Sequence, residues 1–325
     1  MDGYKVVKYT SGFYKQWNNF IEEAKNATFL FHRDFMEYHQ NRFEDASLMV
    51  FKKDKLVALL PANKIGDKVF SHQGLTYGGL VFSKNLKFSG VLECFKVVLE
   101  FLQRQKIKTL DVGMLPTMYS SLPNDEMQYL MFLLNAQHLK RDSLSVVNQK
   151  QPIDLSKNRK EGLKRGQKFN LTIREDDIFD DFWNKILIPN LLQKHGANPV
   201  HSLSEIKLLK SRFPNNIKQY NVYFENKLVA GTTIFITDHV VHSQYISADE
   251  DKNKLGSLDF LHVHLLQKVF VDKMYFDFGN SNENKGKQVN KGLQYWKEGF
   301  GARTIIQDFY RINTANHELL NHVFI

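Results

Sequence analysis

The sequence predicts an α+β protein made of two similar domains in tandem. Three observations carry that reading. The tetrapeptide Lys55-Leu56-Val57-Ala58 recurs as Lys227-Leu228-Val229-Ala230, and the same offset pairs Phe51 with Tyr223, Asp54 with Asn226, Val69 with Val241 and Ser71 with Ser243. After each copy the chain passes through a loop into a long amphipathic stretch. Each stretch leads to a short apolar segment ending Asp-x-Gly, at Asp111-Val112-Gly113 and at Asp277-Phe278-Gly279. Hairpin, helix and Asp-x-Gly strand in one order, twice, mark a supersecondary unit used two times.

Bulk properties agree. At 325 residues the chain is long for one domain and comfortable for two. A 42% hydrophobic fraction with 26 Phe supplies real cores, and 18 Gly and 7 Pro are too few for a disordered chain. The expected division is 1–150 and 151–325, with the Pro152-containing stretch 149–155 as the junction.

In the first half, 4–9 reads as a strand. Ser11 caps a helix to about 25, with Phe13, Trp17, Phe20, Ile21 and Ala24 on one face. A short helix over 34–41 takes Asp34 as cap. Strands 47–51 and 56–64 join through Lys53-Asp54-Lys55, and 68–72 is a third. The loop Gln73-Gly74-Leu75-Thr76-Tyr77-Gly78-Gly79-Leu80 is glycine-rich. Helix 90–104, buried strand 109–112, helix 125–135 and strand 143–147 complete the half. The second half opens on a strongly basic helix over 158–168, carrying Arg159, Lys160, Lys164, Arg165 and Lys168. Helices 178–194 and 202–212 precede strands 219–224, 228–237 and 240–246. Helix 257–270, strand 274–278, helix 288–298 and strand 304–310 end the chain.

Two helices, a strand meander, a helix and a fifth strand are the plan of the Gcn5-related N-acetyltransferase (GNAT) fold. The sharper signal is Phe276-Asp277-Phe278-Gly279-Asn280-Ser281 followed by Trp296-Lys297-Glu298-Gly299-Phe300-Gly301. It resembles the apolar-Asp-Phe-Gly strand and Phe-Lys-x-x-Phe-Gly segment of the Fem family, which are tandem-GNAT proteins, and of their acetyltransferase relatives. Trp296 stands where that pattern has its first Phe. The resemblance implies a fold of two GNAT-like domains, each a mostly antiparallel sheet flanked by helices, and an N-acyltransferase activity. Its order of elements spans nearly the whole chain; its sharp motifs span about thirty residues near the C-terminus.

Acyl transfer needs a cradle for the donor, stabilisation of the tetrahedral oxyanion and a route out for the amine proton. The resemblance places the cradle at the loop after the fourth strand and the helix that follows. There, backbone N–H groups and a helix N-terminus hold the pyrophosphate of coenzyme A. That segment here is 247–257. Gly256 and Ser257 fit the helix start, with Lys252 and Lys254 as phosphate contacts, while Asp249-Glu250-Asp251 oppose an anion unless turned away. An ordinary capped helix start is the plain alternative. The first half, through Gly78-Gly79, shows no basic residues at its counterpart. Gln244 and Tyr245 lie where the fourth strand is expected to expose N–H groups to the thioester, with Tyr245 either protonating the leaving thiolate or simply packed.

Lys297 aligns with the family's Phe-Lys lysine and is expected to place a charge at the acyl donor or oxyanion. A lysine snorkelling over aromatic neighbours is its plainer reading. Asp277 is either a general base or, because Asp111 repeats it, a turn former. Asn280 and Ser281 are expected at the acceptor, as are His72, Tyr77 and Gly79 on the glycine-rich rim. Arg159 and Arg165 of the basic helix either face solvent or hold acceptor or tRNA phosphates. No metal-ligand spacing, Walker loop or nucleophile elbow is present.

The formal charge of +9 suits a nucleotide, a nucleic acid, an anionic envelope precursor or peripheral contact with a membrane surface, against the plainer reading of a lysine-rich surface. Cys94, the one cysteine, sits in an apolar helical pattern and reads as inert core. The first residues lack a signal pattern, and no apolar run approaches the ~20 residues of a membrane span, so a cytoplasmic location is expected. The expected activity is transfer of an acyl group, acetyl above others, from a coenzyme A thioester. The acceptor is an amine on an anionic cell-envelope or nucleotide-sugar precursor. Rival readings are an aminoacyl-tRNA-dependent transferase acting on peptidoglycan and a non-catalytic binding module with the same fold.

Overall fold

The computed structural model describes residues 3–325. It divides into two compact units, Met1–Asp142 with Ile306–Ile325, and Ser143–Ile305. The chain therefore crosses between units inside strands, within Gln137–Asn148 and again within Arg303–Asn313, rather than in the 149–155 stretch.

In the first unit, Leu48–Lys52 and Lys55–Leu60 form an antiparallel hairpin whose turn holds Lys53 at positive φ. Tyr4–Lys8 and Val81–Phe82 complete a four-stranded sheet. Pro61 has no N–H to offer and ends the second strand of the hairpin. The chain resumes at Asn63–Ile65, pairs with Lys68–Phe70, and that strand runs parallel to Thr109–Gly113. Residues 309–313 pair antiparallel with Thr109–Gly113 from its other side. Helix Phe88–Arg104 buries Val91, Leu92, Phe95, Val98 and Leu99 in a core that also takes Leu110, Val112, Ile312 and Leu320. These last two side chains explain why the C-terminal segment belongs with the first unit, not the second.

In the second unit, Thr172–Asp176, Ile217–Phe224, Lys227–Ile236 and Val240–Ala248 follow one another antiparallel. Val240–Ala248 then lies parallel to Tyr275–Asn280, whose far edge pairs with residues of 144–148. The basic helix, Lys157–Lys168, packs on Ser257–His264 at unusually close range. A Cβ on Gly162 would fall 1.8 Å from Asp259 Oδ2, and one on Gly166 would fall 2.6 Å from Phe260 Cβ. The helix is thus not a free cationic rod: its glycine face is buried and its lysines point outward.

Helix ends differ from expectation where local bonding was misread. Thr10, not Ser11, occupies the first cap and makes no side-chain bond. The cap of Arg33–Met36 is His32, whose ring accepts from the Asp34 N–H. Helices expected over 178–194 and 257–270 contain π turns at Trp183–Leu187 and Leu265–Val269. Gln288–Val289 joins a short strand pair, so the helix expected over 288–298 is Lys291–Glu298.

The duplication survives at the level of register. Phe70 lies opposite Asp111 in the first parallel pair, and His242 opposite Asp277 in the second.

Candidate active site

The second unit contains a strand splay with a cavity at its open end. Val240–Ala248 pairs with Tyr275–Asn280 only through Val240, Val241 and His242. Beyond His242 the two strands part. On its other edge Val240–Ala248 carries a bulge: Thr233 faces Tyr245 and Ile234 faces Ser243, which leaves Gln244 without a cross-strand partner. A bulge of this kind kinks a strand and re-aims its backbone groups. Residues 243–248 therefore present an edge with no strand partner.

Ile246, Ser247 and Ala248 at that edge line a cavity of about 460 Å³. Leu187, Leu191, Leu258, Leu293 and Trp296 make its apolar walls, and Arg159, Arg165, Lys194 and Lys252 its charged ones. Helical spacing puts Leu187, Leu191 and Lys194 on one side of 187–195, and Asn190 beside them donates to Ser247 Oγ at 2.8 Å and to the Ala248 carbonyl at 2.7 Å. That amide ties the helix to the strand end and sets the wall's position.

The cations are differently employed. Arg159 is ion-paired with the buried carboxylate of Asp259, which also accepts from Trp296 Nε1 at 3.0 Å. Burial, opposed by Arg159, raises the Asp259 pKa. Arg165 Nε is buried and has no hydrogen-bond partner among the described residues. Lys252 is half-buried, and desolvation followed by repulsion from Lys194 lowers its pKa. Arg165 also lies within electrostatic reach of the Asp259 carboxylate. Lys254 points away, 68% exposed and near Asp251 at 3.9 Å, so it does not line the cavity.

Gly256 stands between the four-residue helix Lys252–Leu255 and the longer Ser257–His264. Its φ is +68°, and a Cβ there would fall 2.2 Å from the Gly162 carbonyl oxygen. Only glycine combines that conformation with that approach. Ser257 is fully buried with its Oγ unpartnered among the described residues.

The sequence-derived catalytic candidates occupy other ground. Lys297 is 3% exposed and donates to the carbonyls of Gly279 at 3.1 Å and Asn280 at 2.6 Å. Burial pushes its pKa down to about 8, with Asp277 pulling the other way. It is Trp296, not Lys297, that faces the cavity. Asp277 is 1% exposed; its carboxylate meets His242 Nδ1 at 3.0 Å and accepts from the Gly279 N–H at 2.7 Å. Tyr245 is buried against Trp183, with its hydroxyl accepting from the His201 N–H and shared with His201 Nδ1 at 2.7 Å. Burial raises its pKa to about 12, so it stays protonated. Gln244 Oε1 is buried without a partner among the described residues. Asn280 is exposed at the strand end, and Ser281 beyond it is buried.

The first unit has a smaller cavity, about 330 Å³, lined by Phe70, His72, Tyr77, Asp111, Phe309 and Tyr310 among others. His72 stacks on His39 at 5.3 Å, and burial, then His39, pushes its pKa down to about 4, so the ring is neutral. Tyr77 is buried and donates to Thr28 Oγ1 at 3.0 Å. Gly79 is buried at the end of the same loop.

Of the sequence-derived candidates, Arg159, Arg165 and Lys252 line the cavity and Gly256 and Ser257 do not; Asn190, Lys194, Asp259, Leu293 and Trp296 line it without having been candidates. The i, i+4 spacings of Leu187 with Leu191 and of Asn190 with Lys194 were the available signal.

No protein-family model and no curated protein matches the sequence. Solved structures do match in fold. FemX superposes with a TM-score of 0.68 at 8% identity, over 98% of this chain and 99% of its own. The structure of L-PGS from Bacillus licheniformis gives 0.58 at 12% identity, over 94% and 95%. A tandem GNAT protein from the clavulanic acid biosynthesis pathway gives 0.54 at 11% identity, over 96% and 98%. The chain has the two-domain, tandem GNAT fold that it shares with FemX.

Proposed function

We propose that this protein is an N-acyltransferase whose second unit binds the acyl donor. The observation that carries the reading is the cavity at the strand splay, with Arg165 Nε unpartnered and Lys194 and Lys252 held close together. The donor is a coenzyme A thioester, acetyl-CoA first among them. Its phosphates lie against Arg159, Arg165 and Lys252 at the start of Ser257–His264. Its thioester arm enters the splay along 244–248.

The acceptor is an amine on an anionic cell-envelope or nucleotide-sugar precursor. The neutral amine attacks the thioester carbonyl directly, and strand N–H groups freed by the bulge at Gln244 hold the oxyanion. The collapse expels the thiolate, and the ammonium proton leaves to solvent. Lys297 and Asp277 act on this chemistry through the backbone, by fixing the strand end at Gly279 and Asn280. Tyr245, tied to His201, supports the bulge. Asn280, exposed at the strand end, and Ser281 just beyond it meet the acceptor.

The test is thermal unfolding with and without acetyl-CoA in the wild type and in Arg165→Ala. At a hundred times its dissociation constant a ligand adds roughly 2.7 kcal/mol. The expected result is a shift of several degrees that Arg165→Ala removes. No shift in the wild type rejects the coenzyme A donor.

Aminoacyl-tRNA as donor is the second reading, favoured by the acids Asp249, Glu250 and Asp251 beside the cradle and by the outward lysines of Lys157–Lys168. Its mark is charged-tRNA binding that falls steeply with salt and is weakened by Lys160→Gln and Lys164→Gln.

A further inference from the structure

The first unit carries an aromatic patch that neither its core nor the proposed chemistry uses. Phe132 is 74% exposed, Phe324 59% and Tyr129 50%. Their rings form a connected chain through half-buried Phe88: Phe324 to Phe88 at 6.0 Å, Phe88 to Tyr129 at 5.5 Å, Tyr129 to Phe132 at 6.2 Å. Monomeric soluble proteins seldom leave such a run in water.

Its surroundings are basic. Phe88 opens the helix Phe88–Arg104, and its neighbour Lys87 is the exposed cap residue, with no side-chain cap bond at that helix end. Lys52, Lys87 and Lys96 line an open hollow of about 610 Å³ there, opposed by one acid, Glu93. Lys84 is exposed on the loop leading in. Among the described residues none of these four lysines pairs with an acidic side chain; Lys52 lies over the Tyr4 ring at 5.0 Å. On the helix that carries Tyr129 and Phe132, Glu126 is bound to Lys25, and the cap residue before it, Asp125, is an exposed acid.

Aromatic rings beside uncompensated lysines are the chemistry of the membrane–water interface. Rings settle at headgroup level and lysines answer anionic headgroups. A soluble acidic protein would be matched by the lysines but not by four rings in contact. We infer that this face docks the protein on a bilayer bearing anionic phospholipids, with Phe132, Tyr129 and Phe324 at the interface and phospholipid headgroups at the hollow of Lys52, Lys87 and Lys96. Among the described residues no helix is long and apolar enough to cross a membrane, so this is attachment to a surface. The inference stands independently of the donor cavity.

The test is co-sedimentation of the full chain with vesicles of phosphatidylcholine alone and of phosphatidylcholine with phosphatidylglycerol. The expected result is binding to the anionic vesicles only, weakening as salt rises. Lys84→Gln and Lys87→Gln should each weaken it roughly fivefold. Phe132→Ser with Tyr129→Ser should abolish it while leaving thermal unfolding unchanged, since both side chains are exposed. Binding to neither vesicle, or equally to both, overturns the inference. Self-association that Phe132→Ser removes also overturns it, by making the patch a contact between copies.

Discussion

The two Asp-x-Gly strands began as copies and now do different work. Each aspartate sits at the same register of a parallel pair, Asp111 opposite Phe70 and Asp277 opposite His242. In the first unit Phe70 offers no hydrogen bond, and Asp111 turns to a half-exposed Arg311 in a two-pronged pair at 2.7 Å. In the second unit His242 does offer one, and Asp277 is buried with it beside Lys297. The strands preceding them differ in the same direction. Lys68–Phe70 stops after three residues, and the glycine-rich loop packs in, with the Gly78 N–H donating to the Gly113 carbonyl. Val240–Ala248 runs on for nine residues, bulges and leaves the splay open. One duplicated plan thus gives a strand end bordered by a packed-in loop, with a cavity of about 330 Å³, in one copy and a splayed, cation-lined end, with a cavity of about 460 Å³, in the other.

That contrast can be broken at several points. The largest effect is expected at the helix starts. Gly256→Ala forces a Cβ into the Gly162 carbonyl at positive φ and should cost about 3 kcal/mol or more in urea unfolding. Gly90→Ala at the first unit's helix start meets side chains rather than backbone, Leu86 Cδ1 at 2.5 Å, Leu86 Cγ at 2.9 Å and the Tyr4 hydroxyl at 3.5 Å, and should cost less, about 1 kcal/mol. Equal costs would mean that the two helix starts are packed alike.

Next come the aspartates themselves. Asp277→Asn leaves His242 and Lys297 without their buried partner and should cost about 3 kcal/mol. Asp111→Asn breaks a two-pronged pair whose arginine is partly exposed and should cost less, about 1–2 kcal/mol. Chemical denaturation of both variants reads the difference directly, and a larger loss at Asp111 would reverse the comparison.

A pH series sharpens it. Burial holds Lys297 at about 8 against an ordinary 10.5, so between those values the unfolded chain binds the extra proton. Stability should therefore rise with pH across that window, and the gain should be lost as pH falls through about 8. Lys297→Met should flatten the rise, on the order of 2 kcal/mol. Arg311 keeps its charge throughout, and Arg311→Met should leave the slope as it was.

The smallest effect is the exchange of partners. His242→Phe installs the first unit's residue in the second and should cost about 1 kcal/mol for the lost hydrogen bond. It should also loosen the strand end at Gly279, read as faster amide exchange there than at Gly113.

Legibility followed the range of the interactions. The hairpins, the long helices and the paired Asp-x-Gly strands were readable, because periodicity, turn residues and repeat spacing are local. The cavity lining was partly readable: Lys252 sits in a loop the sequence singles out, but Asn190 and Lys194 reach the cavity from a helix distant in sequence. Lys297 shows the opposite case. Its motif was visible, yet helix phase turns Trp296 toward the cavity and Lys297 toward the carbonyls of Gly279 and Asn280. The extent of the units was also out of reach, since it depends on Ile312 and Leu320 joining a core otherwise built between Leu48 and Leu134.

By itself the sequence determined that this is a duplicated α+β chain, where its hairpins turn, and that a basic helix opens the second copy. These follow from side-chain period and backbone preference, which act over a few residues. Only the tertiary structure decided which copy keeps an open strand end, which cations remain uncompensated and which aspartate is buried. Those outcomes depend on distant groups excluding or admitting water, and desolvation is a property of the assembled surroundings rather than of any residue in the string.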